Sequence, residues 1–164
     1  MAHPTPTRED APAPAHARVR TRHADDLYTW VQEQLALLRA GRVDALDLDN
    51  IAEELSDGGL SEYYRLQSAV EVVLLHMLTW DHQPARRSRS WALSIAEHRE
   101  RALIQMRKNP GLKSSLDEIR QDAFRLGRLG AARQMKQSPK TLPADCPYSW
   151  DEILNRPFAF EDDR

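Results

Sequence analysis

The run Ala69–Trp80, AVEVVLLHMLTW, constrains this chain more than any other feature. Wound as a helix it is apolar on nearly every side, with only Glu71, His76 and Thr79 interrupting it. A helix of that kind is stable in water only when other helices enclose it. The remaining sequence supplies such partners, because apolar residues recur at helical spacing and no stretch shows sustained strand alternation. The expected fold is therefore all-α, a single-domain helical bundle of about five main helices plus a short C-terminal helix.

The boundaries follow from local chemistry. A first helix is expected over roughly Asp26–Ala40, with Leu27, Trp30, Val31, Leu35 and Leu38 as its inward stripe. An aspartate can accept its first free N–H groups, and Gly41 can supply a left-handed stop. A second helix opens near Asp47 and ends at Leu55 or Ser56, with Leu48, Ile51, Ala52 and Leu55 buried and Gly58-Gly59 breaking or bending the chain beyond. The third, about Ser61–Trp80, is the central one, ended by Pro84, which removes an N–H and clashes with the preceding turn. A fourth begins near Ser88 or Ser90 and stops at Asn109-Pro110, burying Trp91, Ile95, Ala102 and Met106. Ser115 and Glu118 have capping-box spacing for a fifth helix, which reaches about Lys136 with Leu116, Ile119, Ala123 and Leu126 inward. Its Gly127 and Gly130 weaken the helix and so suggest a close helix–helix approach. Ser149 with Glu152, and Tyr148 with Ile153, fit a capping box and hydrophobic staple for the last short helix. In domain terms, residues 1–23 read as a Pro/Ala-rich tail, 24–157 as the helical domain and 158–164 as an acidic tail.

The bulk composition excludes several classes. The chain has 164 residues and a net charge of −2, so no global field draws it to nucleic acid or a membrane. Cys146 is the single cysteine, which leaves no disulfide framework and no multi-cysteine zinc site. No apolar run approaches the roughly 20 residues of a membrane span, and no secretory signal is apparent. A soluble cytoplasmic protein is the expectation. Charge is nevertheless uneven. Residues 24–71 hold three basic against eleven acidic residues, a net of −8, and residues 81–140 hold fourteen against six, a net of +8. The two halves either offset each other or leave a basic face open to an anionic partner.

The candidate polar network or binding site comprises Asn50, Glu53, Glu54, His76, Gln83, Arg86, Arg87, Ser88, Arg89 and Ser90. Arginine forks at a helix start suit phosphate or carboxylate, but the same arginines can bridge to Asp47, Asp49, Glu53 or Glu54. Glu53, Glu54, Asp57 and Glu71 would suit a magnesium-dependent nucleotide phosphohydrolase only if three of them converged on one point. His76 reads as a core histidine, since no Glu-x-x-His or His-Glu-x-x-His accompanies it. Nor is there a phosphate-binding glycine loop. No catalytic residue, metal site or cofactor is assigned.

Several blocks together resemble a known family. They are Asp26…Trp30, Leu46-Asp47…Asn50-Ile51-Ala52-Glu53-Glu54-Leu55, His76…Trp80…Gln83-Pro84…Arg87-Ser88-Arg89-Ser90-Trp91, Asn109-Pro110 and Pro143…Cys146-Pro147-Tyr148…Ile153-Leu154. In that order they resemble the bacterial family catalogued as domain of unknown function 29, over about residues 25–155. Gly58-Gly59 and Trp150 depart from its pattern. The resemblance implies a compact helical protein and brings no activity or cofactor. The resulting expectation is a non-enzymatic protein-interaction module of unknown partner and oligomeric state. Its alternative is binding of nucleic acid or another polyanion through Arg86–Trp91.

Overall fold

In the computed structural model, which describes residues 20–159, short-range capping chemistry sets where each helix begins. Asp26 accepts from the Thr29 N–H at 3.0 Å and opens α1, Leu27–Arg39, which closes at Ala40 before Gly41 at φ 68°. One helix, α2, then runs without interruption over Leu48–His82. A 3-10 turn at Pro84–Arg86 separates it from α3, Arg89–Lys108, whose N-cap Ser88 accepts from the Trp91 N–H. A second such turn, Pro110–Ser115, leads into α4, Leu116–Met135, which ends on Lys136 in the left-handed region. The turn Pro139–Thr141 and an extended stretch then reach α5, Trp150–Asn155, where Ser149 and Glu152 form the expected capping box. No strand occurs among the described residues, so the fold is all-α, and no helix in them is long and apolar enough to cross a membrane.

The expected break at Gly58-Gly59 is not found. A glycine inside a helix costs about 1 kcal/mol relative to alanine but retains its N–H, so it weakens a helix without blocking it. The stable segment beyond carries the helix through, because propagation needs no new nucleus.

By internal contacts the chain divides into two compact units, one ending at Glu53 and the other beginning at Glu54. In the first, the buried positions of α1 are Trp30 and Gln34, whereas Leu27 and Leu38 are 46% and 59% exposed, against expectation. The reason is polar. The Trp30 indole donates to Asp47 at 3.1 Å, and Gln34 Oε1 accepts from the Asp47 N–H at 2.9 Å. Two residues four apart thus turn toward the chain entering α2. The expected stripe Leu48, Ile51, Ala52, Leu55 is likewise not buried, since Leu48, Ala52 and Leu55 are exposed and Ile51 is half-buried. Contacts also begin upstream of the expected domain start, because Thr21 donates through N–H and hydroxyl to Glu33, and Arg20 donates to the Ala45 carbonyl at 2.8 Å.

The second unit holds the large core. Leu66, Val70, Val73, Leu74, Met77 and Leu78 of α2 are fully enclosed. Ile95 and Ala102 of α3, Ile119, Ala123 and Phe124 of α4, and Ile153 of α5 cover them. Leu126, expected inward, is 44% exposed, and Phe124 takes that role. The Ser115–Glu118 capping box does not form, because the 3-10 turn runs straight into α4 and leaves Ser115 near-helical at φ −103°, ψ 3° instead of extended. The close approach inferred from Gly127 and Gly130 is present. A Cβ on Gly127 would lie 2.9 Å from the Glu71 carbonyl oxygen, and one on Gly130 would lie 2.5 Å from Leu75 Cδ1. Phe158, placed in the C-terminal tail by sequence, is instead half-buried and packs edge-on to Trp80 at 5.4 Å. The rest of the expected tails, 1–19 and 160–164, lies outside the described residues.

Candidate functional site

Asn50 and Glu53 belong to the first unit, and the remaining candidates to the second. Asn50 donates from its amide to Asp47 at 2.7 Å. That hydrogen bond, ahead of the one from Trp30, holds the Asp47 carboxyl below its usual range. These residues border a polar cleft of about 400 Å³ together with Arg20 and His23. Glu53 is exposed and Glu54 half-buried.

The turn between α2 and α3 carries most of the other candidates. Gln83 continues α2 by donating its N–H to the Thr79 carbonyl at 2.9 Å and accepts the Arg86 N–H at the same distance. Arg87 donates from Nε to the Trp80 carbonyl at 3.0 Å and lies over the Trp80 ring at 5.2 Å. Its partner is thus a carbonyl and an aromatic face. Ser88 caps α3, and Arg86, Arg89 and Ser90 are exposed around that helix start. His76, one turn earlier on α2, keeps Nδ1 buried with no hydrogen-bond partner among the described residues. Burial first, and the nearby His98 second, push its imidazole toward the neutral form. Its ring lies 6.4 Å from that of Trp91.

A second network, which the sequence reading missed, joins α2 to the C-terminal segment. Arg156 grips Asp81 with two nitrogens at 2.5 and 2.8 Å, and the Tyr148 hydroxyl donates to the same carboxylate at 2.8 Å. Burial pushes the Asp81 carboxyl up, but these bonds outweigh it and hold it below the usual range. The Tyr148 phenol is raised far above its ordinary value, by burial first and by the Asp81 bond second. Arg99 of α3 donates to the carbonyls of Ile153 at 2.6 Å, Arg156 at 2.7 Å and Glu152 at 3.0 Å. It thereby covers the negative end of α5. Arg120 and Arg128 of α4 also donate to main-chain carbonyls, those of Tyr148 at 3.0 Å and Pro139 at 2.7 Å. Three arginines of the basic half are therefore turned to main-chain oxygens of 139–156. The only hint in sequence was an acid beside Trp80 and an Arg-Pro-Phe run after a short helix.

Among the described residues no three His, Cys, Asp or Glu side chains are grouped to hold a metal ion. Glu71, the fourth carboxylate considered, is raised by burial. Cys146 is half-buried and its thiol is likewise pushed up by burial.

A concavity larger than the polar cleft beside Asn50 lies elsewhere, between α2 and α3, as an open groove of about 870 Å³. Leu60, Tyr64 and Ile104 present apolar surface to it, 46%, 55% and 37% exposed. Asp57, Arg65 and Arg101 supply its charge. Glu62 anchors the helices beneath, accepting from the side chains of Gln105, Asn109 and Arg65. The Gln105 bond is the main reason its carboxyl stays below the ordinary range. Arg65 and Arg101, both exposed, pair with acids about one turn away, Glu62 and Glu97. Such pairs contribute little and are easily exchanged.

Comparison with curated proteins and with solved structures returned no match for this chain. The profile of one family matches residues 23–159, which span α1 to α5 and every candidate residue above. The chain belongs to the family described as Domain of unknown function DUF29.

Proposed function

We propose that this protein is a non-enzymatic, cytoplasmic interaction module that receives another protein on the α2–α3 groove. The observation that supports this reading most is the groove itself, where Leu60, Tyr64 and Ile104 stay exposed beside two weakly held arginines. An exposed tyrosine beside arginines and apolar surface is a composition enriched in protein-binding surfaces. The Asp81–Tyr148–Arg156 cluster has no buried side-chain atom left unpartnered, which fits a structural lock better than a reacting centre. A photo-crosslinking residue at position 64, used in cells, tests the reading. A protein adduct at 64 but not at the exposed Glu100 is expected, and an absence of adducts at 64 contradicts it.

A second reading, binding of nucleic acid or another polyanion, draws on Arg86 and Arg89, exposed at the start of α3. Association with DNA or RNA would then weaken steeply with salt. No association at low salt removes it.

A further inference from the structure

We infer that the partner received on the α2–α3 groove is a second copy of this chain, seated antiparallel about a two-fold axis near Ser61. This rests on the interaction reading above and commits it to one occupant. The α2 lip of the groove is formed by Asp57, Leu60, Ser61, Tyr64, Arg65 and Ser68, which share one helix face. Asp57 and Arg65 stand four residues before and four after Ser61. An antiparallel copy therefore sets Asp57 of each chain against Arg65 of the other, twice over. A parallel copy sets acid against acid and base against base. The face is complementary to itself in only one of the two senses, as an isologous contact requires.

Shape agrees with charge. The same register brings Tyr64 of one copy toward Gly58 of the other, pairing an exposed ring with a position that has no side chain. A Cβ on Gly58, or on Gly59, meets nothing within 4 Å. Within one chain these glycines only weaken α2, in contrast to Gly127, which is pressed against the Glu71 carbonyl. Against a second copy, Gly58 gives the Tyr64 ring room that no contact within the chain uses. Two α2–α3 pairs laid face to face make a four-helix layer of the kind in which such antiparallel contacts recur.

Light scattering on a sizing column and sedimentation of the full chain, over a dilution series, test this. A concentration-dependent dimer is expected. Asp57→Arg and Arg65→Asp each place like charges together and should give monomers, with helical circular dichroism retained. The double exchange Asp57→Arg/Arg65→Asp restores the opposite signs and should restore the dimer. Tyr64→Ala should weaken association about tenfold or more. A wild-type chain that stays monomeric throughout, or a dimer indifferent to both reversals, overturns the inference. If such a monomer still cross-links to a different protein through position 64, self-association falls while the interaction reading stands.

Discussion

Two stretches of the same helix differ in almost every physical respect. Along α2 from Leu66 to Trp80, nine residues are buried and a glycine of α4 is pressed against the backbone. From Glu54 to Tyr64 none is buried, Leu55 is 73% exposed, and Gly58-Gly59 faces open space. Both stretches contain apolar side chains at helical spacing, so periodicity alone does not say which surface will be covered. Neighbours decide. The stretch from Leu66 has α3, α4 and α5 around it, and the stretch from Glu54 has a groove on one side.

The contrast can be broken most severely at its tightest contact. Gly127→Ala forces a methyl to within 2.9 Å of a backbone oxygen that cannot turn aside. A loss of about 3 kcal/mol in urea denaturation is expected, the upper end for overpacking. Next comes Asp81→Ala, which leaves Arg156 and Tyr148 without their acceptor. Because the ion pair keeps some solvent contact, a loss of about 2 kcal/mol is expected, below the figure for a fully buried pair. The same carboxyl gives an acid signature. Its folded pKa is depressed, so its contribution is full above the unfolded value near about 4 and is lost as pH falls through the folded one. The acid limb of stability against pH should be shallower in Asp81→Asn than in the wild type.

At the open stretch the sign reverses. Gly58→Ala and Gly59→Ala, measured at high dilution, should each stabilise by about 1 kcal/mol, since the added methyl meets nothing and helix propensity improves. A loss at either position would mean that this face is already covered. The smallest change is expected from Arg87→Ala. Stacked over Trp80 at an exposed turn, this side chain contributes about 0.5 kcal/mol, and a loss of several times that would restore it to a buried acid–arginine network.

The legible parts of this fold are the ones governed by neighbours in sequence. Asp26, Ser88, Ser149 and Pro84 act within a turn of themselves, so the ends of α1, α2, α3 and α5 could be placed from local chemistry. Gly58-Gly59 reads as a break, yet α2 passes through it, because a glycine is a cost to a helix and not a barrier. The C-terminal lock was invisible because Asp81 and Arg156 lie 75 residues apart. Nothing near either of them marks the other. Sequence displays carboxylates and hides carbonyls, so it offers Arg87 acids or an anion as partners, whereas the oxygen it uses belongs to Trp80. Arg99, Arg120 and Arg128 escaped notice for the same reason. The α2–α3 groove was missed because its apolar residues have ordinary helical spacing and differ only in staying uncovered.

Native-state hydrogen exchange along α2 tests that difference most directly. At high dilution, amides of Leu66–Trp80 should be protected close to the limit of global unfolding, and amides of residues 54–62 should exchange through local opening, far faster. Raising the concentration should slow exchange in the second set alone. Uniform protection along α2 at high dilution, with no response to concentration, would contradict the account.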